Sequence, residues 1–345
     1  MSRLVTVDPQ SPDRAAVRRA ADLLRAGGLV AFPTETVYGL GAHALDPAAV
    51  RKIFIAKDRP DWDPLIVHIG TMEMARSLAK DLPPRFEELA RRFWPGPLTM
   101  IVKKAAGVPD EVTARRPTVA LRMPRHPLAA ALLAAARLPI AAPSANRFGR
   151  PSPTRAEHVL ADLGERVDLI LDGGPTRFGI ESSIVDLTQS PPVLLRPGAI
   201  PREELEAALG EITTAAAATP LPSAPGLPAP GMSSRHYAPH ARLELFEGDP
   251  AETARRIRHR ATELSTAGRR VGVLVHAEAG LIPEADLGLV YGPWADRELM
   301  AARLYQYLRA MDDRGVDVIL SIVPPAEGLG LAIRDRLQRA AARES

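Results

Sequence analysis

The chain has 345 residues, 46% of them hydrophobic, a formal net charge of +3 and no cysteine. That length suggests two domains with ordinary soluble cores. The missing cysteines exclude disulfides, thiol nucleophiles and thiolate zinc, and the small positive excess falls short of a dedicated nucleic-acid binder. No apolar run approaches the roughly 18 residues of a membrane span, and "MSRLVTVDPQ" carries no signal-peptide apolar region, so a cytoplasmic protein without a membrane partner is expected.

The first 210 residues alternate helical and strand-like segments. In "AVRRAADLLRAGG", Val17, Ala20, Ala21 and Leu24 recur at helical spacing and the helix stops at a glycine pair; "LVAF" then reads as a buried strand. "PAAVRKIFIAK" is a helix, "LIVHIG" a strand, and "RFEELARRFW" a helix ended by Pro95 and Pro97. "LTMIVKK" and "TVALRMP" follow as strands, "HPLAAALLAAARL" as a helix, "PIAAP" and "VDLILDGG" as strands, and "IESSIVDL" and "PVLLRPG" close the unit. Apolar strands interleaved with helices predict an α/β sheet buried on at least one face. From Glu211 to Gly231 proline, alanine and glycine dominate without periodicity, which predicts a partly extended linker. Beyond it come "RLELFEG", a helix from about Pro250, "VGVLVH", "LGLVYG", a long helix with Met300, Leu304, Leu308 and Met311 on one face, "VDVILS" and a last helix. That alternation predicts a small parallel-sheet domain of Rossmann-like class.

Residues 32–41, "FPTETVYGLG", concentrate polar groups where a plain turn needs two or three special residues. Thr34 and Thr36 could offer hydroxyls to a ligand at the carboxyl end of a strand, where open α/β sheets bind ligands. The plainer reading is a long turn whose threonine and glutamate side chains cap backbone amides. Gly39-Leu-Gly41-Ala-His-Ala44 has the form G-x-G-x-x-G/A, but "PTETVY" separates it from the strand, so a dinucleotide turn is not expected. Neither a Walker-type phosphate loop nor H-E-x-x-H occurs.

Only five of the 44 basic residues are lysines, and one of them, Lys57, stands with Arg59 at a predicted helix end. Two cations there complement the helix dipole, or clamp phosphates as a point charge beside a fork. His68 falls inside a strand, where a satisfied core histidine competes with a ligand contact. Arg122 in an apolar strand needs an anion, supplied by the protein or by a ligand carboxylate. "APSANRFGRPSPT" brings Ser144, Asn146, Arg147 and Ser152 into one loop, and Thr154 with Glu157 predicts a capping box. Ser182 and Ser183 start a strand, and Arg196 ends one. No Ser-His-Asp spacing or metal-ligand cluster stands out. The pattern favours chemistry run by positioning and charge stabilisation, such as nucleotidyl transfer from ATP.

In order along the chain, "FPTETVYGLG", "KDRP", "PLIVHI", "WPGPLT", "VALRMP", "APSAN", "RPSPT" and "LLRPG" resemble the YrdC-type threonylcarbamoyl-AMP synthases. "PGMSSRHYAP" and the C-terminal α/β domain resemble their two-domain form, so the likeness covers nearly the whole chain. It implies a twisted mixed-sheet YrdC-like catalytic domain over 1–210, a Pro/Ala-rich linker and active-site lid over 211–240, and a Rossmann-like domain over 241–345. It also implies condensation of L-threonine, bicarbonate and ATP into threonylcarbamoyl-AMP and pyrophosphate, with magnesium. The product would feed threonylcarbamoyladenosine formation on tRNA, with tRNA or tRNA-modification proteins downstream.

By motif, the resemblance implies that Thr36, His68, Arg122, Ser182 and the backbone at Ala142 line the threonine side. Lys57, Arg59, Asp63, Thr118, Ser144, Asn146, Ser152 and Arg196 would line the ATP side, with His236 and Tyr237 added from the linker. Lys57 and Arg59 would be the catalytic pair; no metal ligand is assigned. The family usually has asparagine where Asp63 stands, and a carboxylate beside triphosphate repels it unless magnesium or Arg59 intervenes. Two alternatives stay open: an RNA-binding module without catalysis, whose strand-end cations meet phosphates, and a different ATP-dependent carbamoyl or adenylyl transferase on the same fold.

Overall fold

The computed structural model describes residues 3–215, 226–280 and 282–342. These form two compact units. One comprises the chain up to Phe148, Ser152–Arg177 and Glu181–Met232; the other comprises Gly149–Pro151, Phe178–Ile180 and the chain from Ser233 onward. The expected α/β class holds for both.

The first unit runs β1 (Leu4–Thr6), α1 (Arg14–Arg25), β2 (Val30–Pro33), β3 (Tyr38–His43), α2 (Pro47–Lys57), β4 (Ile66–His68), α3 (Met72–Leu78), α4 (Pro84–Phe93), β5 (Leu98–Lys103), α5 (Asp110–Thr113), β6 (Thr118–Arg122), α6 (Pro127–Ala136), β7 (Ile140–Ala141), α7 (Ala156–Leu163), β8 (Leu169–Asp172), β9 (Ser183–Asp186), β10 (Val193–Arg196), α8 (Arg202–Leu209) and β11 (Thr213–Thr214). Its mixed sheet has the order β1-β8-β2-β3-β7-β4-β6-β5-β9-β10-β11. Local signals explain the helices. Asp13 caps α1 through the Ala16 N–H at 2.7 Å, and Asp46 caps α2 through the Ala48 N–H at 2.9 Å with Pro47 in the first turn. The apolar stripe Val17, Ala20, Ala21 and Leu24 packs with α6 residues Leu128, Leu132 and Leu133 against β2 and β8. A larger core, from Tyr38 and Leu40 through Val67, Met100 and Leu121 to Leu194, fills the other side.

Two expectations change and a third holds. The segment expected to be a plain linker first adds a strand: β11 pairs parallel with β10. Residues 216–225 of that linker lie outside the described residues. The Thr154–Glu157 capping box does not form, because α7 begins at Ala156 with Arg155 at its N-cap and no side-chain cap bond. The Thr154 N–H instead donates to His158 Nδ1 at 3.2 Å. Finally, Gly39 and Gly41 lie inside β3 rather than at a strand-to-helix turn, and a Cβ at Gly41 would meet Ile140 and Phe32 side chains at 2.8 Å. These glycines admit close packing across the sheet, and no dinucleotide turn exists there.

The second unit contains β12 (Arg242–Phe246), α9 (Pro250–Thr266), β13 (Val271–His276), β14 (Leu287–Gly292), α10 (Arg297–Asp313), β15 (Val318–Ile322) and α11 (Leu329–Ala341). Its sheet, β12-β15-β13-β14, is wholly parallel. Strands β13 and β15 are buried along their full length, as inner strands of a parallel sheet must be. Asp249 and Asp296 cap α9 and α10, and Met300, Leu304, Leu308 and Met311 form the buried face of α10 as their spacing predicts.

Candidate active site

The turn after β2 builds itself. Thr34 Oγ1 donates to Val37 O at 2.7 Å and lies 3.2 and 3.3 Å from the Thr36 and Val37 N–H groups. Since that hydroxyl is already donating, the 2.8 Å contact between the two threonine hydroxyls must be donated by Thr36. Thr34 is therefore consumed by its own turn. Thr36, with no exposed surface, keeps acceptor lone pairs. Glu35 between them is buried and accepts Arg122 Nη2 at 2.7 Å and the Arg125 N–H at 2.9 Å.

The strand-edge picture of open sheets needs correction. β2 is antiparallel to β3, β3 to β7 and β7 to β4, while β4 and β6 are parallel. The carboxyl ends of β2 and β6 thus face opposite edges, yet Glu35 beyond β2 pairs with Arg122 at the end of β6. The polar residues approach across the sheet instead of lining one edge.

His68 stands in register with Arg122. Burial, aided by the charge of Arg122, holds its imidazole far below the usual value, at about 3, so it is neutral. Its ring meets Phe32 edge-on at 6.2 Å, and its Nδ1 is buried without a hydrogen-bond partner. The Ala142 N–H is taken by Ile66 O at 2.9 Å.

Lys57, the last residue of α2, is 1% exposed. Its ammonium reaches the carbonyls of Ser144, at 2.5 Å, and Asn146 in the loop after β7. Arg59 follows a left-handed Asp58, at φ 53°. Its guanidinium donates to the carbonyls of Asp63 and Pro64 at 3.2 and 2.7 Å, and its carbon lies 5.7 Å from the Phe148 ring centre. Arg59 Nη2 also comes within 3.0 Å of Asp63 Oδ1. Its angle is poor, however, so neither Asp63 oxygen receives a proper hydrogen bond. Burial raises the Asp63 pKa, opposed by Arg59, Lys57 and Arg196.

Ser152 donates to Glu181 at 2.5 Å. Ser182 shares a 2.8 Å hydroxyl contact with Thr99. Arg196, at the end of β10, binds Ser182 O through Nη2 at 3.0 Å and Pro230 O through Nη1 at 3.0 Å. Thr118 opens β6 in a half-buried position. The linker end is held in this unit: the Leu227 N–H donates to Trp62 O at 3.0 Å, Arg116 Nη1 reaches Gly226 O at 3.1 Å, and Ala229 and Met232 join an apolar cluster with Ile66, Ile101 and Val193. His236 and Tyr237 lie in the second unit. Tyr237, at φ 61°, stacks on Tyr305 at 5.5 Å, with the Arg336 guanidinium 5.1 Å from its ring centre.

The structure thus joins Thr36, Glu35, Arg122 and His68 in one neighbourhood, and Lys57, Arg59, Asp63, Ser144 and Asn146 in another, with Ser182 and Arg196 tied to each other. Glu35, Thr99 and Glu181 escaped the sequence reading as individual residues. For Glu35 the signal was present: a carboxylate between two threonines, in a chain whose apolar strand "TVALR" carries an arginine that needs an anion. Among the described residues no group of three metal-ligating side chains occurs, and no helix is long and apolar enough to cross a membrane.

Residues 22–198 match the family model described as "Telomere recombination", and residues 200–342 match "Threonylcarbamoyl-AMP synthase, C-terminal domain". A curated threonylcarbamoyl-AMP synthase of Pyrococcus abyssi is 47% identical over 94% of this chain and 93% of its own length. One from Bacillus subtilis is 47% identical over 98% and 94%. The crystal structure of P. abyssi Sua5 complexed with L-threonine superposes with a TM-score of 0.93 at 45% identity, covering 99% of this chain and 98% of that one.

Proposed function

The chain belongs to the two-domain threonylcarbamoyl-AMP synthase family, and we propose that it condenses L-threonine, bicarbonate and ATP into threonylcarbamoyl-AMP and pyrophosphate. The observation that carries this reading is the gathering of buried cations in the first unit: Lys57, Arg59, Arg122 and Arg196 are each at most 8% exposed. Glu35 and Asp63 offset part of this charge, and a site with so many cations favours anionic ligands; the substrates bring a carboxylate, a carbamate and a triphosphate.

In this reading the threonine amine adds to bicarbonate-derived CO2, and a carbamate oxygen attacks the α-phosphorus as pyrophosphate leaves. Arg122 takes the amino-acid carboxylate, and the acceptor lone pairs of Thr36 take an N–H of the substrate. Neutral His68 adds no second positive charge beside Arg122. Lys57 and Arg59 offset charge that builds on the phosphates, with Ser144, Asn146, Ser152, Thr118 and Arg196 positioning the nucleotide. The carbamate hydrolyses in water, so a dry, rigid site is needed. The described end of the linker in the first unit, Leu227 to Met232, would then help cover the nucleotide.

Magnesium suits this site as a companion of the triphosphate. It binds through phosphates, water and at most one or two carboxylates rather than a protein cage, and among the described residues no cluster of histidine and carboxylate side chains forms such a cage, so the ion would arrive on the nucleotide's own phosphates. The ion would supply charge neutralisation on the phosphates. Delivery of the product to tRNA modification and a cytoplasmic location complete the proposal.

The test is pyrophosphate release from ATP and bicarbonate, scanned over all amino acids. Threonine should be preferred and serine poorer, since one lost methyl contact costs about 1–3 kcal/mol. Equal turnover with threonine, serine and valine would overturn the assignment.

A further inference from the structure

We propose that Glu35 is a positioning residue that fixes the Arg122 guanidinium for the amino-acid carboxylate; the inference rests on the reading that Arg122 faces threonine.

A guanidinium carries five N–H donors in one plane, so an anchor on one of them decides where the others point. In this structure the anchor is Glu35, whose Oε1 takes Arg122 Nη2 at 2.7 Å. An ion pair on a mobile carboxylate would transmit little orientation. Glu35 is anchored at both carboxylate oxygens. Its Oε2 is held by a backbone donor, the Arg125 N–H, at 2.9 Å, and its own backbone sits in the turn that Thr34 closes on Val37 at 2.7 Å. Both side chains are 4% exposed, so water does not substitute for either contact. The orientation thus passes from the rigid backbone at residue 125, through one carboxylate, to the guanidinium.

A second observation separates this role from a plain structural ion pair. Arg122 Nε is buried and has no hydrogen-bond partner. A buried donor left unmet is rare in folded proteins, and here it lies on the very group whose plane Glu35 sets. Charge fits as well. Without ligand, Glu35 balances the buried cation. With ligand, a second carboxylate can dock on the remaining donors, because an arginine can serve two carboxylates where a lysine offers only a point charge. Beside it, His68 contributes no competing charge.

The experiment is steady-state pyrophosphate release by the full chain, with threonine and ATP varied separately. Variants are Glu35→Ala, Glu35→Asp and Glu35→Gln, with Arg122→Lys for comparison. Glu35→Ala should raise the threonine KM at least tenfold and leave the ATP KM within twofold. Glu35→Asp is one methylene too short to hold both donors and should behave similarly. Glu35→Gln keeps the shape and one acceptor and should recover part of the loss. The threonine-dependent rise in Tm should fall in the same order. A folded Glu35→Ala or Glu35→Gln variant with threonine KM within twofold of the parent would overturn the proposal. A parallel rise in both KM values would do the same, since it marks general loosening. If neither of these two variants folds, the pair is structural and the proposal fails. If Arg122→Lys itself leaves the threonine KM unchanged, the underlying reading is wrong; if Arg122→Lys raises it and Glu35→Ala does not, only the positioning role is lost.

Discussion

The two sheets of this chain obey the same rules and bury different things. In the second unit, β13 and β15 are buried throughout, and His276 and Ser321 are their only polar residues. That is what an inner parallel strand needs for stability. In the first unit the strands β6 and β10 end on Arg122 and Arg196, and the turns beside β2 and β4 bury Glu35, Arg59 and Asp63. Arginines are buried in the second unit too, but on helices: Arg336 of α11 lies against Tyr237 and pairs with its neighbour Asp335. Stability alone does not explain charges desolvated at strand ends, because a hydrophobic replacement of similar volume is often neutral or better. Their concentration in one sheet is what the proposed chemistry on anionic substrates accounts for.

The largest expected effect lies at that concentration. Lys57→Ala and Arg59→Ala should each lower turnover by about 10²–10³-fold, the usual result of deleting one donor aimed at developing charge, while circular dichroism shows a folded chain. Activity that declines only with the folded fraction would make these residues structural and erase the contrast between the sheets.

Next in size is a change made wholly in the apolar sheet. Leu320 in β15 has no exposed surface, so Leu320→Ala should cost about 2–5 kcal/mol through lost burial and a residual cavity. Calorimetry should place that loss in the transition of the second unit. Pyrophosphate release measured well below that transition should change less than twofold. A tenfold loss of turnover in the folded variant would show that the second sheet shapes the chemistry.

Much of this contrast could be read from the sequence. Most strand and helix identities followed from periodicity, though β1, β3, α3 and α8 did not, and the α10 face followed residue by residue. The strand arginine, Arg122, pointed to buried charge. What stayed hidden were pairings between distant segments. Nothing local couples Glu35 to Arg122, 87 positions away, or Lys57 to the loop carbonyls of Ser144 and Asn146. The strand directions that send β2 and β6 to opposite edges depend on the two-residue strand β7, too short to carry a periodic signal. Thr154 looked like a cap because the motif was present; the helix starts later, and His158 takes the threonine instead.

A smaller effect concerns His68. Its folded pKa of about 3 lies below the ordinary 6.5, so the folded state binds fewer protons than the unfolded chain. The stability this provides is complete above pH 6.5 and is lost as pH falls toward 3. Between pH 6.5 and 5.0 that loss should be about 2 kcal/mol. Urea unfolding of His68→Gln alongside the parent isolates it: the stability difference between the two should shrink on acidification. A difference independent of pH would mean that the imidazole is not held neutral by burial.

The finest test is Asp63→Asn, because here the two costs oppose each other. Burial raises the carboxyl pKa, and Arg59, Lys57 and Arg196 pull it down without fully compensating. A group whose folded pKa is raised contributes most stability when protonated, below its unfolded value of 3.8, and loses it as pH rises through the folded value. The asparagine variant has no such loss. Relative to the parent it should therefore gain stability as pH rises above about 4, by at most about 1.4 kcal/mol per pH unit, and then reach a plateau. ATP should bind it equally or more tightly, since a negative charge facing the triphosphate has gone while the cations stay. Weaker ATP binding that appears only with magnesium present would instead make Asp63 a metal contact; weaker binding with and without magnesium would mean that the carboxylate is needed to hold Arg59 in place.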